Sequence, residues 1–128
     1  MLNSKYAPTL LRIGLGLLFL LPGLSKLANP AGIIGMLGGM GIPMATLMGW
    51  ILILSEIGFG GALLVGYRVK KVVWPLLVIM VVALLAVHVP AWIAAAPMAM
   101  ISVLTHVLAI LGLTSIYLSG PGELAVKG

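Results

Sequence analysis

An arginine and a lysine bracket one apolar run, Leu11 to Leu27, and this constrains the chain more than any other feature. Successive residues on a helix turn by about 100°, so steps of three and four keep to one face. Arg12, Gly16, Phe19, Gly23 and Lys26 follow those steps. One stripe therefore carries two cations, two glycines and an aromatic ring, while the remaining faces carry Leu and Ile. An arginine left in hydrocarbon costs at least about 2.5 kcal/mol, so Arg12 needs a partner.

The whole chain reads as an integral membrane protein. Of its 128 residues, 62% are hydrophobic and 7% charged, with a mean hydropathy of +1.30. A soluble domain of this size needs far more polar surface. There is no cysteine, which excludes disulfides, thiol relays and cysteine-ligated metals within the chain. The net charge of +5 is read as setting orientation and meeting anionic membrane lipid, with no nucleic acid as partner. A cleaved leader is not expected, because Arg12 interrupts the first apolar run and no small-x-small site follows.

The expected fold class is all-α, a four-helix membrane bundle forming a single domain over residues 1–128. A span needs about 20 apolar residues, and four segments qualify, at about 7–28, 44–67, 72–89 and 98–118. Pro8 suits a first helical turn and Pro22 should bend the first span. Between the first two spans, residues 29–43 hold five glycines between Pro30 and Pro43 and no charge. This segment is expected to make a short interfacial or re-entrant cap over one mouth of the bundle, since irregular backbone at that depth must lie against protein or a wet cavity. The last span ends before a short polar tail, residues 119–128.

Cations fix the expected orientation. Lys5, Arg12, Arg68, Lys70, Lys71 and Lys127 fall on one side of such a bundle and Lys26 alone on the other. Both termini are therefore expected on the cytoplasmic side of the cell's cytoplasmic membrane. Trp50, Trp74, Trp92, Tyr67 and Tyr117 lie near span ends, as an aromatic belt requires.

Glu56 is the acid available within the spans, and Gly49, Leu52, Gly60 and Leu63 share its face. Arg12 and Glu56 differ in expected depth by about 9 Å, which two long side chains can nearly close. A structural ion pair Arg12–Glu56 is expected, either fixing helix register alone or forming part of a ligand or proton site. Glycine on both stripes should let the first two spans approach closely. His106 is placed within one turn of Glu56 in depth, as a proton-handling or ligand-binding group or as an imidazole bonded to Ser102 or a neighbouring carbonyl. His88 is read as interfacial. The two histidines are expected about 10 Å apart in depth, which argues against a haem held between them. Met36, Met40, Met44 and Met48 recur every fourth residue, but methionine commonly fills packing gaps, and no metal site is expected. No phosphate loop, nucleophile triad or carboxylate pair is present, and no residue is assigned a catalytic role.

The run Arg12-Ile-Gly-Leu-Gly-Leu-Leu-Phe19, continuing to Pro22-Gly23-Leu-Ser-Lys26-Leu27, resembles the opening helix of the DoxX family. Gly-Ile-Pro43, followed by Ser-Glu56-Ile-Gly-Phe-Gly60-Gly-Ala-Leu-Leu-Val-Gly66, is similar to that family's second helix. The resemblance spans about residues 10–115 and implies a small four-helix membrane protein serving as subunit or accessory of a redox system, as in thiosulfate:quinone oxidoreductase. Arg12, Lys26 and Glu56 match the family's recurring polar positions. The lack of cysteine and of a soluble domain argues against catalysis by this chain alone.

Two functions stay open. In the first, the bundle binds a quinone-like or other lipophilic ligand through Arg12, Phe19, Lys26, Glu56 and His106, and works beside a redox partner protein. In the second, the chain is a non-enzymatic carrier or scaffold for lipids, small hydrophobic solutes or partner proteins, a second copy of itself included.

Overall fold

The bundle is built around one unusually close helix pair. In a computed structural model, which describes residues 4–126, a single 3-10 turn at Ser4–Tyr6 leads into α1, Ala7–Ala28, with Pro8 in its first turn. Helix α3, Ala45–Val65, packs along it. The expected glycine stripes make this contact: a Cβ at Gly16 would stand 2.7 Å from Leu64 Cα, and one at Gly60 would stand 2.9 Å from the Leu20 nitrogen. Without a hydrophobic drive between helices in lipid, such backbone-to-backbone packing is what holds a pair together.

Between these two lies α2, Pro30–Gly39, the short cap expected from the glycine-rich segment. Asn29 breaks away from α1 with extended φ, and Pro30 starts α2 where its missing N–H costs nothing. The cap leans on α3: Ile33 is buried, and Gly49 leaves room for Ile34.

The third span differs from expectation. Helix α4, Val69–Ala83, continues through a π turn, Leu84–His88, into α5, Val89–Ile93. The span therefore runs to Ile93 instead of ending at Val89. The reason is Pro90, which has no N–H for the Ala86 carbonyl and whose ring would strike it. Widening the preceding turn, with the Val89 N–H donating to the Leu84 carbonyl, lets the helix pass the proline without stopping. Helix α6, Ala99–Ser119, completes the bundle.

Among the described residues, four helical stretches are long and apolar enough to cross a membrane: Ser4–Ala28, Ala45–Val65, Val69–Ile93 and Ala99–Ser119. Leu15, Phe19, Leu63, Val73, Leu76, Leu113 and Ile116 form the interior. Leu10, Leu21, Leu54, Leu85, Leu108 and Leu111 point outward, where acyl chains would meet them. Lys127, counted above with the cations of one side, lies outside the described residues.

Candidate functional site

Arg12 and Glu56 do not pair. Arg12 is fully buried at the end of the bundle where α3 finishes, and its guanidinium is saturated by main-chain oxygens. Nε donates to Pro121 O at 2.9 Å, Nη1 to Leu63 O at 3.1 Å and also to Leu64 O, and Nη2 to Glu123 O and Leu124 O at 3.3 and 2.9 Å. A guanidinium has five N–H groups, and all five have an acceptor. The acceptors from α3 are last-turn carbonyls, of which Leu63 O also accepts from the Gly66 N–H at 3.1 Å, and they carry the negative end of the helix dipole. Arg12 therefore finds its countercharge at its own depth, with no need to climb towards Glu56.

The same contacts fold the C-terminal tail back under the bundle. Thr9 Oγ1 donates to Glu123 O at 2.7 Å and the Val126 N–H donates to Val65 O at 2.8 Å. Gly66, at φ +81°, sits where a Cβ would stand 2.5 Å from Ala125 Cβ, so tail and helix end interlock. The polar tail expected from the sequence is thus a wall of the Arg12 site.

Glu56 pairs instead with Lys26, whose Nζ donates to Oε1 at 2.6 Å. Gly23 allows this, since a Cβ there would be 3.0 Å from Glu56 Cβ and hold the helices apart. The carboxylate side chain is 6% exposed and the lysine side chain 32%. One N–H of the ammonium is used here and two are left over.

The histidines also depart from expectation. Their ring centroids are 4.1 Å apart with planes tilted by 36°. The expected depth mismatch assumed a helix ending at Val89. With the span running on to Ile93, His88 and His106 reach nearly the same level on facing helices. The rings are in contact, so no haem plane fits between them. His106 Nδ1 lies 2.8 Å from the Ser102 carbonyl of its own helix, which is one of the two readings the sequence allowed.

A cavity of about 580 Å3 joins these groups. Phe19, Lys26, Glu56, His88 and His106 line it, with Ile33 and Met36 of the cap on one side. Ligand sites commonly occupy roughly 300–1,000 Å3, mostly apolar with a few polar groups. Of the five expected ligand-binding residues, Phe19, Lys26, Glu56 and His106 are brought together here, and Arg12 is not. Missed from the sequence were His88, Ser25 and Asn29, which also line it. Asn29 stands three residues from Lys26 and four from Ser25, so helical spacing could have found it. His88 depended on the π turn.

A second, larger hollow of about 790 Å3 lies at the opposite end, where Lys5, Arg68, Lys70 and Lys71 meet the tail. Four of the cations assigned to one side thus gather at one end, while Lys26 sits among the residues of the other. Among the described residues no group of three or more His, Asp or Glu is placed to hold a metal ion.

No curated protein and no solved structure matches the chain. The DoxX family matches residues 7–89, a stretch that contains Arg12, Phe19, Lys26, Glu56 and His88. Nearly two thirds of the chain is thereby accounted for, and this multi-pass membrane protein belongs to the DoxX family.

Proposed function

We propose that the protein is a membrane accessory of a redox system and holds a quinone-like lipophile in the cavity under the cap. The observation that carries this is the meeting of a Lys26–Glu56 ion pair, two touching histidines and Phe19 around one space of about 580 Å3. Intramembrane ionisable groups are costly, and ones that keep hydrogen-bonding capacity facing a cavity, as Lys26 does, point to a binding role. A π turn that ends on a cavity residue supports the reading, since such turns gather at functional sites. A quinone head group takes hydrogen bonds from the Lys26 ammonium, and its ring and tail follow the apolar walls. The chain itself contributes binding and positioning, and electrons are exchanged with a partner protein.

The experiment is binding of a short-chain quinone, oxidised and reduced, to the purified protein and to folded Glu56→Gln and His106→Ala variants. The wild type should bind at least one redox form, and one or both variants should bind it roughly tenfold more weakly, the size of one lost hydrogen bond. Equal affinity in all three would place the ligand elsewhere. Absence of binding, together with co-purified lipid, would favour the carrier or scaffold role.

The proposed setting is the cytoplasmic membrane with both termini inside, supported by the clustering of Lys5, Arg68, Lys70 and Lys71 at one end. Single cysteines replacing Lys70 and Ala95 should label from opposite sides of intact cells, with position 70 protected. External labelling of position 70 would reverse the orientation.

A further inference from the structure

We infer that the cavity selects lipophiles whose head group carries a hydroxyl, and that Nε2 of His106 is the acceptor that selects them. The inference rests on the cavity reading above and names the ligand class for it. The Ser102 carbonyl can only accept, so the 2.8 Å contact requires that His106 Nδ1 carry a hydrogen. A neutral imidazole has one N–H, and here it is spent inside the helix. Nε2 is left with a lone pair and, among the described residues, has no hydrogen-bond partner, while the ring lines the cavity. With Nδ1–H so engaged, neutral His106 cannot donate to a ligand carbonyl.

Two of the polar groups that line the cavity, beside Ser25, Asn29, Glu56 and His88, are then complementary in kind. His106 Nε2 accepts, and the Lys26 ammonium, with one N–H given to Glu56, donates. A hydroxyl both donates and accepts, so a phenol or quinol satisfies both groups. A ketone, an oxidised quinone or an ether only accepts and leaves Nε2 unpaired in an apolar setting. Sites built to pair a hydroxyl discriminate strongly against analogues that lack it, because their own polar groups go unsatisfied. The Nδ1 contact sets the ring's orientation, and the His88 ring packs against its face at 4.1 Å between centroids.

The test uses the full chain in nanodiscs, with para-octylphenol and its methyl ether as probes and partition into empty nanodiscs subtracted. The phenol should bind at least about tenfold more tightly than the ether, as expected for one hydrogen bond. In His106→Phe, which keeps a ring of similar size, phenol affinity should fall to that of the ether while ether affinity holds. Equal binding of both probes by the wild type would overturn the hydroxyl preference and leave the cavity reading intact. A preference that survives in His106→Phe would overturn the role of Nε2. Binding of neither probe would remove the cavity reading and this inference with it. Should His106→Phe fail to fold, nitrogen NMR of histidine-labelled wild type decides the matter, with His88→Phe assigning the two residues. The His106 ring should show hydrogen on Nδ1, and its Nε2 resonance should shift on adding the phenol but not the ether. A ring protonated at Nε2, or no shift with bound phenol, would contradict the inference.

Discussion

Two cations sit within the first membrane helix, and they are treated in opposite ways. Arg12 is sealed: fully buried, every N–H bonded to a carbonyl, and the acceptors supplied by a helix end and a folded tail. Lys26 is held by one carboxylate, is about one-third exposed, and faces a cavity with two histidines in it. The first arrangement is a structural clamp joining α1, α3 and the tail. The second keeps hydrogen-bonding capacity in reserve, as a binding site requires. An ionisable residue in a membrane span therefore does not announce function by its presence. What separates the two is whether the protein has already satisfied it.

Substituting at each end should expose that difference. Arg12→Gln should have the largest effect, because several buried carbonyls lose their donor at once and each unpaired buried acceptor costs about 1–3 kcal/mol. Thermal unfolding in mild detergent should show a loss of at least about 3 kcal/mol, and protease should reach the tail. Arg12→Lys should recover only part of this, since an ammonium has three donors and no planar fork. A stable Arg12→Gln protein with a protected tail would break the comparison.

Glu56→Gln should cost less, about 1–2 kcal/mol, because Lys26 is exposed enough to turn towards head groups. The double variant Lys26→Gln with Glu56→Gln should recover part of that loss, while Arg12→Gln with Glu56→Gln should be additive. Coupling between Arg12 and Glu56 in such a cycle would restore the pairing that the structure separates.

Thr9→Val should have the smallest effect. It removes one hydrogen bond, 2.7 Å to Glu123 O, from a clamp that Arg12 still closes. A loss of about 1 kcal/mol, with faster hydrogen exchange at Val126, is the expected result. A loss as large as that of Arg12→Gln would show that the tail, and not the guanidinium, carries the clamp.

Much of the fold was legible from periodicity and composition, and the two largest misses, Arg12 and His88, both turn on the backbone. The first span, its glycine stripe and the capping segment follow from local spacing, and α1 and α2 form where those signals place them. Phe19, Lys26, Glu56 and His106 converge because helical spacing already put them on inward faces. Arg12 was misassigned because its acceptors are main-chain oxygens, which every residue owns and no sequence pattern marks. The fold-back of the tail hangs on those same carbonyls. His88 was misplaced by a proline taken as a stop, when a single π turn carries the helix past it. Side-chain partners can be sought in a sequence; backbone partners and one-residue changes of helical register cannot.

The most direct measurement of the difference between the two ends is photolabelling in native membranes with a lipophilic quinone bearing a light-activated group. Peptide mapping should find the label on segments lining the capped cavity, around Lys26, Ile33, Met80 and His88. A redox-inactive lipophile of the same shape should compete with it. The segments around Arg12 and Leu64 should stay unlabelled, because the guanidinium is buried with every N–H spent on a carbonyl and lies outside the hollow that opens among Lys5, Arg68, Lys70 and Lys71. Label concentrated at the Arg12 end, or spread evenly over the lipid-facing leucines, would contradict the assignment of one cation to structure and the other to binding.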